Sequence, residues 1–421
     1  MFHPDSQILQ KNMNPIVKKY NENREKKQIL SKTSILFLNK IIKWMEEAEE
    51  SFSKTSIQEF HLEKENGIPK GKMQYHIPEK VKEHIERMNW VGKKLSFSIS
   101  DRKFNIFLIH PIKTSQTEYE IYKWFHEIKK RIYCWLYIAI LQSTNGCSKT
   151  LNIYFYFTDL KKKMAENGKT AILGEINVNT AYTFACSLNK SGENEMYLYR
   201  KEEWFKVFIH ESFHAFALDF SNMQRDNEFI NREIGKIFPL SIDVRLYESY
   251  TEMWAEIINI VYIVYNSKTM NKIQKITEFL KMEQLFSLFQ ACKILKHNHI
   301  SYTELYEMTE MAKMKRIHNY RETTPILAYY ILKSICMMNV GKFIEWTTVS
   351  NKGTLNFYKT KANMLSYVQF IKERYKTPEY LAAIQFTENY YSTMKNIKNK
   401  MIGESDFDIL DNLRMSMFEI K

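Results

Sequence analysis

Residues 204–218 read WFKVFIHESFHAFAL and contain the pattern His-Glu-x-x-His within an apolar run that has helical spacing. At 3.6 residues per turn, His210 and His214 project from the same face of a helix, one above the other. Two imidazoles at this separation can bind one Zn²⁺, and Glu211 can face a water on that ion. A core helix with two satisfied histidines is the alternative. It is disfavoured because burying two imidazoles and a carboxylate together without a partner is costly.

A stripe of three carboxylates downstream supplies candidates for a third ligand. Two histidines leave zinc under-coordinated, so one more protein ligand is needed, and the fourth position is left for water. In residues 247–259, YESYTEMWAEIIN, the residues Glu248, Glu252 and Glu256 recur every four positions and therefore share one face of a helix. A solvated acidic face usually explains such a stripe, but this one continues into an apolar run. The residues alone leave the choice of ligand open.

At this point the chain resembles the gluzincins, zinc peptidases in which a His-Glu-x-x-His helix is followed by a helix that bears a ligand glutamate. In that family the ligand typically stands in Glu-x-x-Ala/Ser, often with an acidic residue four positions later. Residues 251–256, TEMWAE, match this pattern, so the resemblance implies that Glu252 binds zinc together with the two histidines. Glu256 would then accept a hydrogen bond from a ligating imidazole, as such histidines generally require. Glu248 fits the pattern less well and is the alternative ligand.

The order of patterns along the chain predicts an α+β enzyme. Alternating runs before the motif helix predict four or five strands, including a hairpin of residues 95–100 and 104–110, and helical periodicity dominates after it, up to a last helix at 407–418. With the resemblance, this implies a two-lobed, zincin-like fold that is predominantly helical, with a small mixed sheet before the motif helix. We expect an N-terminal helical appendage and linker (1–75), an α/β lobe with an edge strand and the motif helix (76–220), and a helical lobe that carries the third zinc ligand (221–421).

The resemblance and the chemistry of zinc hydrolases suggest roles for further residues. The run VNTAY looks like the edge strand that binds substrate backbone in such enzymes, which makes Asn179 and Ala181 substrate-binding candidates. Zn²⁺ lowers the pKa of its bound water towards roughly 7, and Glu211 takes the proton and later delivers it to the leaving amine. Tyr329 and Tyr330 are candidates for the donor that stabilises the oxyanion, although adjacent tyrosines more often pack in a core.

Composition limits the classes of protein to consider. The 421 residues are 44% hydrophobic and 14% aromatic, which indicates a globular protein. The net charge of +13 suits an acidic partner, but no nucleic-acid motif is present and a lysine-rich surface is the simpler explanation. The five cysteines are scattered along the chain, which is typical of reduced thiols. Residues 1–27 do not resemble a signal peptide, and the apolar runs are too short to span a bilayer. We therefore expect a cytoplasmic protein.

The sequence as a whole predicts a zinc metallopeptidase with one Zn²⁺ per chain and a protein or peptide substrate. Residues 200–207 and the composition are similar to uncharacterised putative metallopeptidases of large DNA viruses, which implies the host cytoplasm or the virion as the location. The alternative is a catalytically silent structural or interaction protein on a zincin fold, such as a virion component, that binds an acidic partner. The intact Glu211 favours the enzyme, since only water activation needs a carboxylate there. An enzyme of the same fold that acts on a non-peptide amide is a weaker alternative.

Overall fold

The chain folds into a predominantly helical α+β structure, as the sequence predicts. The computed structural model describes residues 2–22, 28–72, 74–112, 117–143, 146–165, 172–186, 192–398 and 409–420. Its helices are α1 (Pro4–Asn21), α2 (Lys32–Lys54), α3 (Glu79–Glu86), α4 (Glu118–Gln142), α5 (Glu175–Val178), α6 (Trp204–Ala215), α7 (Gln224–Gly235), α8 (Leu246–Tyr265), α9 (Lys272–His297), α10 (Glu310–Asn319), α11 (Lys333–Met338), α12 (Val340–Ser350), α13 (Lys361–Lys372) and α14 (Pro378–Lys398). None of the helices in these ranges has the length and apolar character needed to cross a bilayer.

A six-stranded mixed sheet precedes the motif helix in the chain. Its strands are β1 (Gln58–His61), β2 (Trp90–Ile99), β3 (Arg102–Pro111), β4 (Thr150–Tyr156), β5 (Ala181–Thr183) and β6 (Glu193–Leu198), arranged in the order β1-β2-β3-β4-β6-β5. β2 and β3 form the predicted antiparallel hairpin, and β4 lies parallel to both β3 and β6. The long helix α4 supplies the crossover that two parallel strands require. β5 forms one edge of the sheet, antiparallel to β6.

The two faces of the sheet enter different hydrophobic clusters. Successive side chains of a strand point to opposite faces, and in β4 the residues Leu151, Ile153 and Phe155 face the main core, which also contains side chains from α6 and α8. Tyr154 and Tyr156 face a smaller, aromatic-rich cluster that α3 covers. Every residue of α6 is buried, as expected for a helix that is apolar on most sides. The motif helix is therefore held between the sheet and the later helices.

The first 75 residues do not form the expected appendage and linker. Phe37, Leu38 and Ile41 of α2 lie in the main core, and β1 is a strand of the sheet. Fully burying a large apolar side chain stabilises the folded state by roughly 1.5–3 kcal/mol. The apolar face of α2 is therefore more stable packed against the core than exposed to water. That surface is formed partly by α4, α8 and α12. A chain that begins near residue 75 would expose this part of the core.

Two secondary-structure predictions are also corrected. One of the four or five strands that the sequence predicts spans residues 175–186, but this stretch is split into the short helix α5 and the three-residue strand β5. Of the predicted helix at 407–418, residues 407 and 408 lie outside the described residues, and 409–418 form turns, bends and an isolated bridge instead of a helix. In both places tertiary contacts override the local preference of the sequence.

The expectation of five reduced thiols is wrong for one pair of cysteines. Cys147 and Cys186 form a disulfide, with 5.5 Å between their Cα atoms, while the other three cysteines are free and buried. The bond joins the loop after α4 to the chain just beyond β5. The backbone N–H of Cys186 also donates to the carbonyl oxygen of His214 at 2.9 Å. The end of the edge strand is thus connected to the end of the motif helix.

Candidate metal centre

Helices α6 and α8 bring three potential ligand atoms together. His210 and His214 lie on successive turns of α6 and face Glu248 in the first turn of α8. The two Nε2 atoms are 3.2 Å apart, and Glu248 Oε2 lies 3.1 Å from His210 Nε2 and 3.3 Å from His214 Nε2. Ligands about 2.0–2.1 Å from a tetrahedral zinc ion are about 3.3 Å from one another. The observed separations therefore fit a zinc site.

The three converging atoms need positive charge between them, because all three side chains are buried. Burial by itself lowers the pKa of each histidine, but the neighbouring carboxylates outweigh it, so the pKa of His210 is raised and that of His214 is raised well above its usual value. Burial raises the pKa of Glu248, yet the two histidines hold it below its usual value. A divalent cation would supply the same charge, and two imidazoles with one carboxylate are donors that zinc accepts.

A second carboxylate orients each histidine. The Nδ1 atom of His210 hydrogen-bonds Glu252 Oε2 at 2.9 Å, and Nδ1 of His214 hydrogen-bonds Asp219 Oδ2 at 2.5 Å. With Nδ1 donating a proton to a carboxylate, the Nε2 lone pair remains for a metal ion. Asp219 is itself held by the hydroxyl of Thr251, which donates to Oδ2 at 3.2 Å.

The arrangement differs from the expectation that Glu252 is the third ligand, because the group that could hold a metal contains Glu248 in its place. The oxygens of Glu252 are engaged by His210 Nδ1 and by the ammonium group of Lys206, while Glu248 lies one helical turn earlier and joins the ligand group. Within the described residues, Glu256 does not accept a hydrogen bond from an imidazole as predicted, but forms an ion pair with Lys333. Glu248, the alternative ligand that the sequence left open, is the carboxylate that this geometry favours.

The stripe of carboxylates on α8 is stable because each member has its own cationic partner. Like charges four residues apart on a helix repel one another mildly. Here Glu248 faces the two histidines, Glu252 pairs with Lys206, and Glu256 pairs with Lys333. The stripe thus connects the group formed by His210, His214 and Glu248 to two buried ion pairs.

Glu211 faces a small cavity beside this group. The cavity has a volume of about 40 Å³ and is lined by Lys162, Val178, Asn179, Thr180, Ala181, Lys206, Val207, His210, Glu211, Glu252, Tyr329 and Met415. Burial raises the pKa of Glu211, and the nearby histidines oppose this shift. Among the described residues, nothing hydrogen-bonds or ion-pairs with its carboxylate. It is therefore available to accept a proton from a molecule in the cavity.

The two tyrosines that the sequence singled out have different positions. The Tyr329 ring lies 6.0 Å from the His210 ring and borders the cavity, and its hydroxyl makes no hydrogen bond within the described part of the chain. Burial and the carboxylates nearby raise the pKa of Tyr329 well above its usual value. Tyr330 instead donates to the carbonyl oxygen of Leu413 at 2.6 Å and is buried in the core, so its predicted catalytic role is corrected to a structural one.

Both predicted substrate-binding residues border the cavity. Ala181 begins the edge strand β5, and Asn179 lies just before it, where its side-chain oxygen accepts a hydrogen bond from Thr324 at 3.1 Å. An edge strand can pair with an extended peptide through backbone hydrogen bonds. A role of these residues in substrate binding remains a prediction.

Sequence reasoning missed several residues of the site. Asp219 is a lone acidic residue in an apolar stretch five positions after His214, and Lys206 lies four positions before His210 on the same helix face. Both are signals that could have been used, because an isolated charge in an apolar run needs a partner. Met415 carries no such signal, since it is about 200 residues away in the sequence.

Comparisons of the chain with protein-family models, with curated proteins and with solved structures gave no match. The argument for a function therefore rests on the geometry and chemistry of this site.

Replacing Asp219 with Asn is expected to weaken zinc binding by roughly 10–100-fold, the usual effect of losing a carboxylate that supports a ligating histidine. The buried carboxylate would become an amide, a poorer acceptor for His214 Nδ1. Competition with a chromophoric chelator measures the affinity. Asp101→Asn is a suitable control, since Asp101 is an exposed residue of the turn between β2 and β3 and pairs with Lys149. Equal affinities for the two variants would contradict the orienting role.

Proposed function

We propose that this protein is a zinc-dependent peptidase with a two-lobed, zincin-like arrangement around the cleft between β5, α6 and α8. His210, His214 and Glu248 would hold one Zn²⁺, and Glu211 would act as general base. The observation that supports this most strongly is the convergence of three ligand atoms to within 3.1–3.3 Å of one another, beside a buried carboxylate with which no described residue hydrogen-bonds or ion-pairs.

When bound at this site, zinc would polarise the carbonyl oxygen of a substrate and lower the pKa of a coordinated water towards roughly 7. Glu211 would accept a proton from the attacking water and pass it to the leaving amine, a role that typically contributes roughly 10²–10⁴-fold to the rate. Tyr329, with its raised pKa, would stay protonated at neutral pH and would donate a hydrogen bond to the carbonyl oxygen as negative charge develops there.

A peptide is the substrate that the surroundings of the cavity favour. β5 is an edge strand, and its first residue, Ala181, lines the cavity together with Glu211. An extended peptide that pairs with β5 would therefore lie across the general base. The resemblance to gluzincins carried by the His-Glu-x-x-His motif on α6 agrees with this proposal, whereas the motif on α8 implied Glu252 as the ligand in place of Glu248.

A non-catalytic structural or interaction protein is less well supported. A protein that uses zinc only for stability closes the site with four protein ligands, whereas catalytic sites keep one position for water or substrate. Among the described residues, the group that could hold a metal has three members, and none of these residues hydrogen-bonds or ion-pairs with the buried Glu211 beside it. Burial of a carboxylate in this way is costly unless it acts on a bound molecule.

We expect the purified protein to carry about one zinc ion per chain, and to lose peptide hydrolysis when a chelator removes the metal and regain it when zinc is restored. Metal analysis measures the stoichiometry. His210→Ala and His214→Ala should each abolish stoichiometric zinc, because each removes one of three ligands. His126→Ala, at an exposed position on α4, is the matched control and should keep its metal. Full metal retention in both ligand variants would overturn the metal assignment.

A further inference from the structure

Residues 409–420, here called the C-terminal segment, run through the interior of the protein as turns, bends and isolated bridges. Leu413, Arg414, Ser416 and Met417 in this segment are fully buried. Irregular backbone usually lies at the surface, where water satisfies its polar groups. In the interior these groups must instead find partners in the protein.

Two buried carboxylates accept hydrogen bonds from N–H groups of the C-terminal segment. Glu203, at the start of α6, accepts from the N–H groups of Met415 at 3.1 Å and of Ser416 at 2.6 Å. Glu283 in α9 accepts from the N–H of Met417 at 2.8 Å. Burial raises the pKa of Glu203, but Lys162 and Lys206 outweigh it and lower this pKa to about 2. Hydrogen bonds to an ionised group are roughly twice as strong as neutral ones, so Glu203 holds the segment firmly.

Buried donors bind the carbonyl groups of the same segment. Lys333 Nζ donates to the carbonyl oxygen of Met415 at 2.5 Å, and the Tyr330 hydroxyl donates to that of Leu413 at 2.6 Å. The backbone of Met415 is therefore held by a charged group on both its N–H and its C=O. These contacts fix the direction in which the Met415 side chain leaves the backbone.

The side chain of Met415 points towards the candidate active site. It lines the cavity beside Glu211, its Sδ atom lies 3.7 Å from Lys206 Nζ, and it packs in one cluster with Val178 and Tyr329. The remaining volume of about 40 Å³ holds roughly one or two water molecules. Met415 thus takes up space beside Glu211 that a larger substrate side chain would need.

We propose that Met415 determines substrate specificity by filling the side-chain subsite next to Glu211, so that the cleft accepts peptides with a small residue (Gly, Ala or Ser) beside the scissile bond. This inference rests on the proposed peptidase function and extends it to the class of substrate. The C-terminal segment is in this view a wall of the substrate cleft, although it is about 200 residues away from the motif helix in sequence.

The charges around the cavity do not favour an acidic side chain in this subsite. Lys162 and Lys206 both line the cavity, but Lys162 pairs with Glu203 at 2.8 Å and Lys206 pairs with Glu252. Each ammonium group is thus already neutralised by a buried carboxylate. The subsite therefore selects substrate side chains by their size and not by their charge.

The test compares cleavage of a proteome-derived peptide library by the zinc-loaded wild type and by Met415→Ala, with cleavage sites read by mass spectrometry. We expect wild-type sites to have Gly, Ala or Ser next to the scissile bond. In Met415→Ala, kcat/KM for matched peptides with Leu or Phe at that position should rise at least roughly 10-fold relative to peptides with Ala, the lower end of what pocket size contributes. Met415→Val removes less volume and should shift the preference in the same direction by less.

Met417→Ala is the matched control, since Met417 is equally buried in the same segment but does not line the cavity. It should lower the melting temperature without changing the cleavage profile. Zinc content and melting temperature verify that each variant is folded, and Met415→Val carries the test if Met415→Ala is not. A folded, active Met415 variant with the wild-type profile would overturn this inference alone. No cleavage by the zinc-loaded wild type would overturn the proposed function and this inference with it.

Discussion

Replacing Glu211 with Gln is expected to reduce peptide hydrolysis by at least roughly 10²–10⁴-fold while the fold and the zinc content are preserved. The amide keeps the shape of the carboxylate but cannot accept a proton from water. Because Glu211 has no hydrogen-bond or ion-pair partner among the described residues, its replacement leaves no other group unpaired. We therefore expect little change in the free energy of unfolding.

Turnover of a mixed peptide library by wild type and Glu211→Gln, with zinc measured in both, tests this prediction. Glu175→Gln is a suitable control, because Glu175 is an exposed carboxylate in α5, close in sequence to the edge strand, and does not line the cavity. It should leave turnover unchanged. If zinc-loaded wild type and Glu211→Gln were equally active, Glu211 could not be the general base. If both proteins were inactive, the alternative of a catalytically silent structural or interaction protein would be preferred.

Replacing Glu248 with Gln is expected to abolish stoichiometric zinc, whereas Glu252→Gln should retain it with an affinity weakened by roughly 10–100-fold. Glu248 contributes one of the three converging atoms, and an amide is a poor zinc ligand. Glu252 acts on His210 Nδ1, where an amide oxygen can still accept the hydrogen bond. Metal analysis after dialysis, followed by chelator competition, separates the two effects.

One side effect of Glu252→Gln needs its own control. The change leaves the buried ammonium group of Lys206 without its partner, and breaking a buried pair in this way destabilises proteins by roughly 3–5 kcal/mol. The double variant Lys206→Met with Glu252→Gln removes both charges and should recover most of this stability. If Glu252→Gln loses its zinc in this stable background while Glu248→Gln keeps it, the ligand assignment must return to Glu252.

The general class of fold and the centre of the site could be predicted because their signals are local. Helical periodicity places His210 and His214 on one face, and alternation defines the hairpin of β2 and β3. The choice between Glu248 and Glu252 could not be made in this way. By spacing alone the turns of the α8 stripe are equivalent, and the packing of α8 against α6 decides which turn faces the histidines.

Other features depend on contacts that no local pattern encodes. The C-terminal segment has an apolar spacing that predicts a helix, but the buried carboxyl groups of Glu203 and Glu283 bind its N–H groups and hold it irregular. Similarly, nothing in the spacing of Cys147 and Cys186 distinguishes them from the three free cysteines. The apolar face of α2 was visible in the sequence, but its burial against later helices was not.

The buried course of the C-terminal segment has a consequence for the timing of folding. Its partners lie throughout the chain: Ser6 hydroxyl accepts from the N–H of Glu419 across 413 positions, and Glu203 and Glu283 bind it from the middle. Contacts of such long range make folding slow, and a nascent chain folds from its N-terminal side during synthesis. Until residues 409–420 have emerged from the ribosome, Glu203 and Glu283 lack the backbone groups that they bind. We therefore expect the cleft to be completed only once residues 409–420 are available to these carboxyl groups.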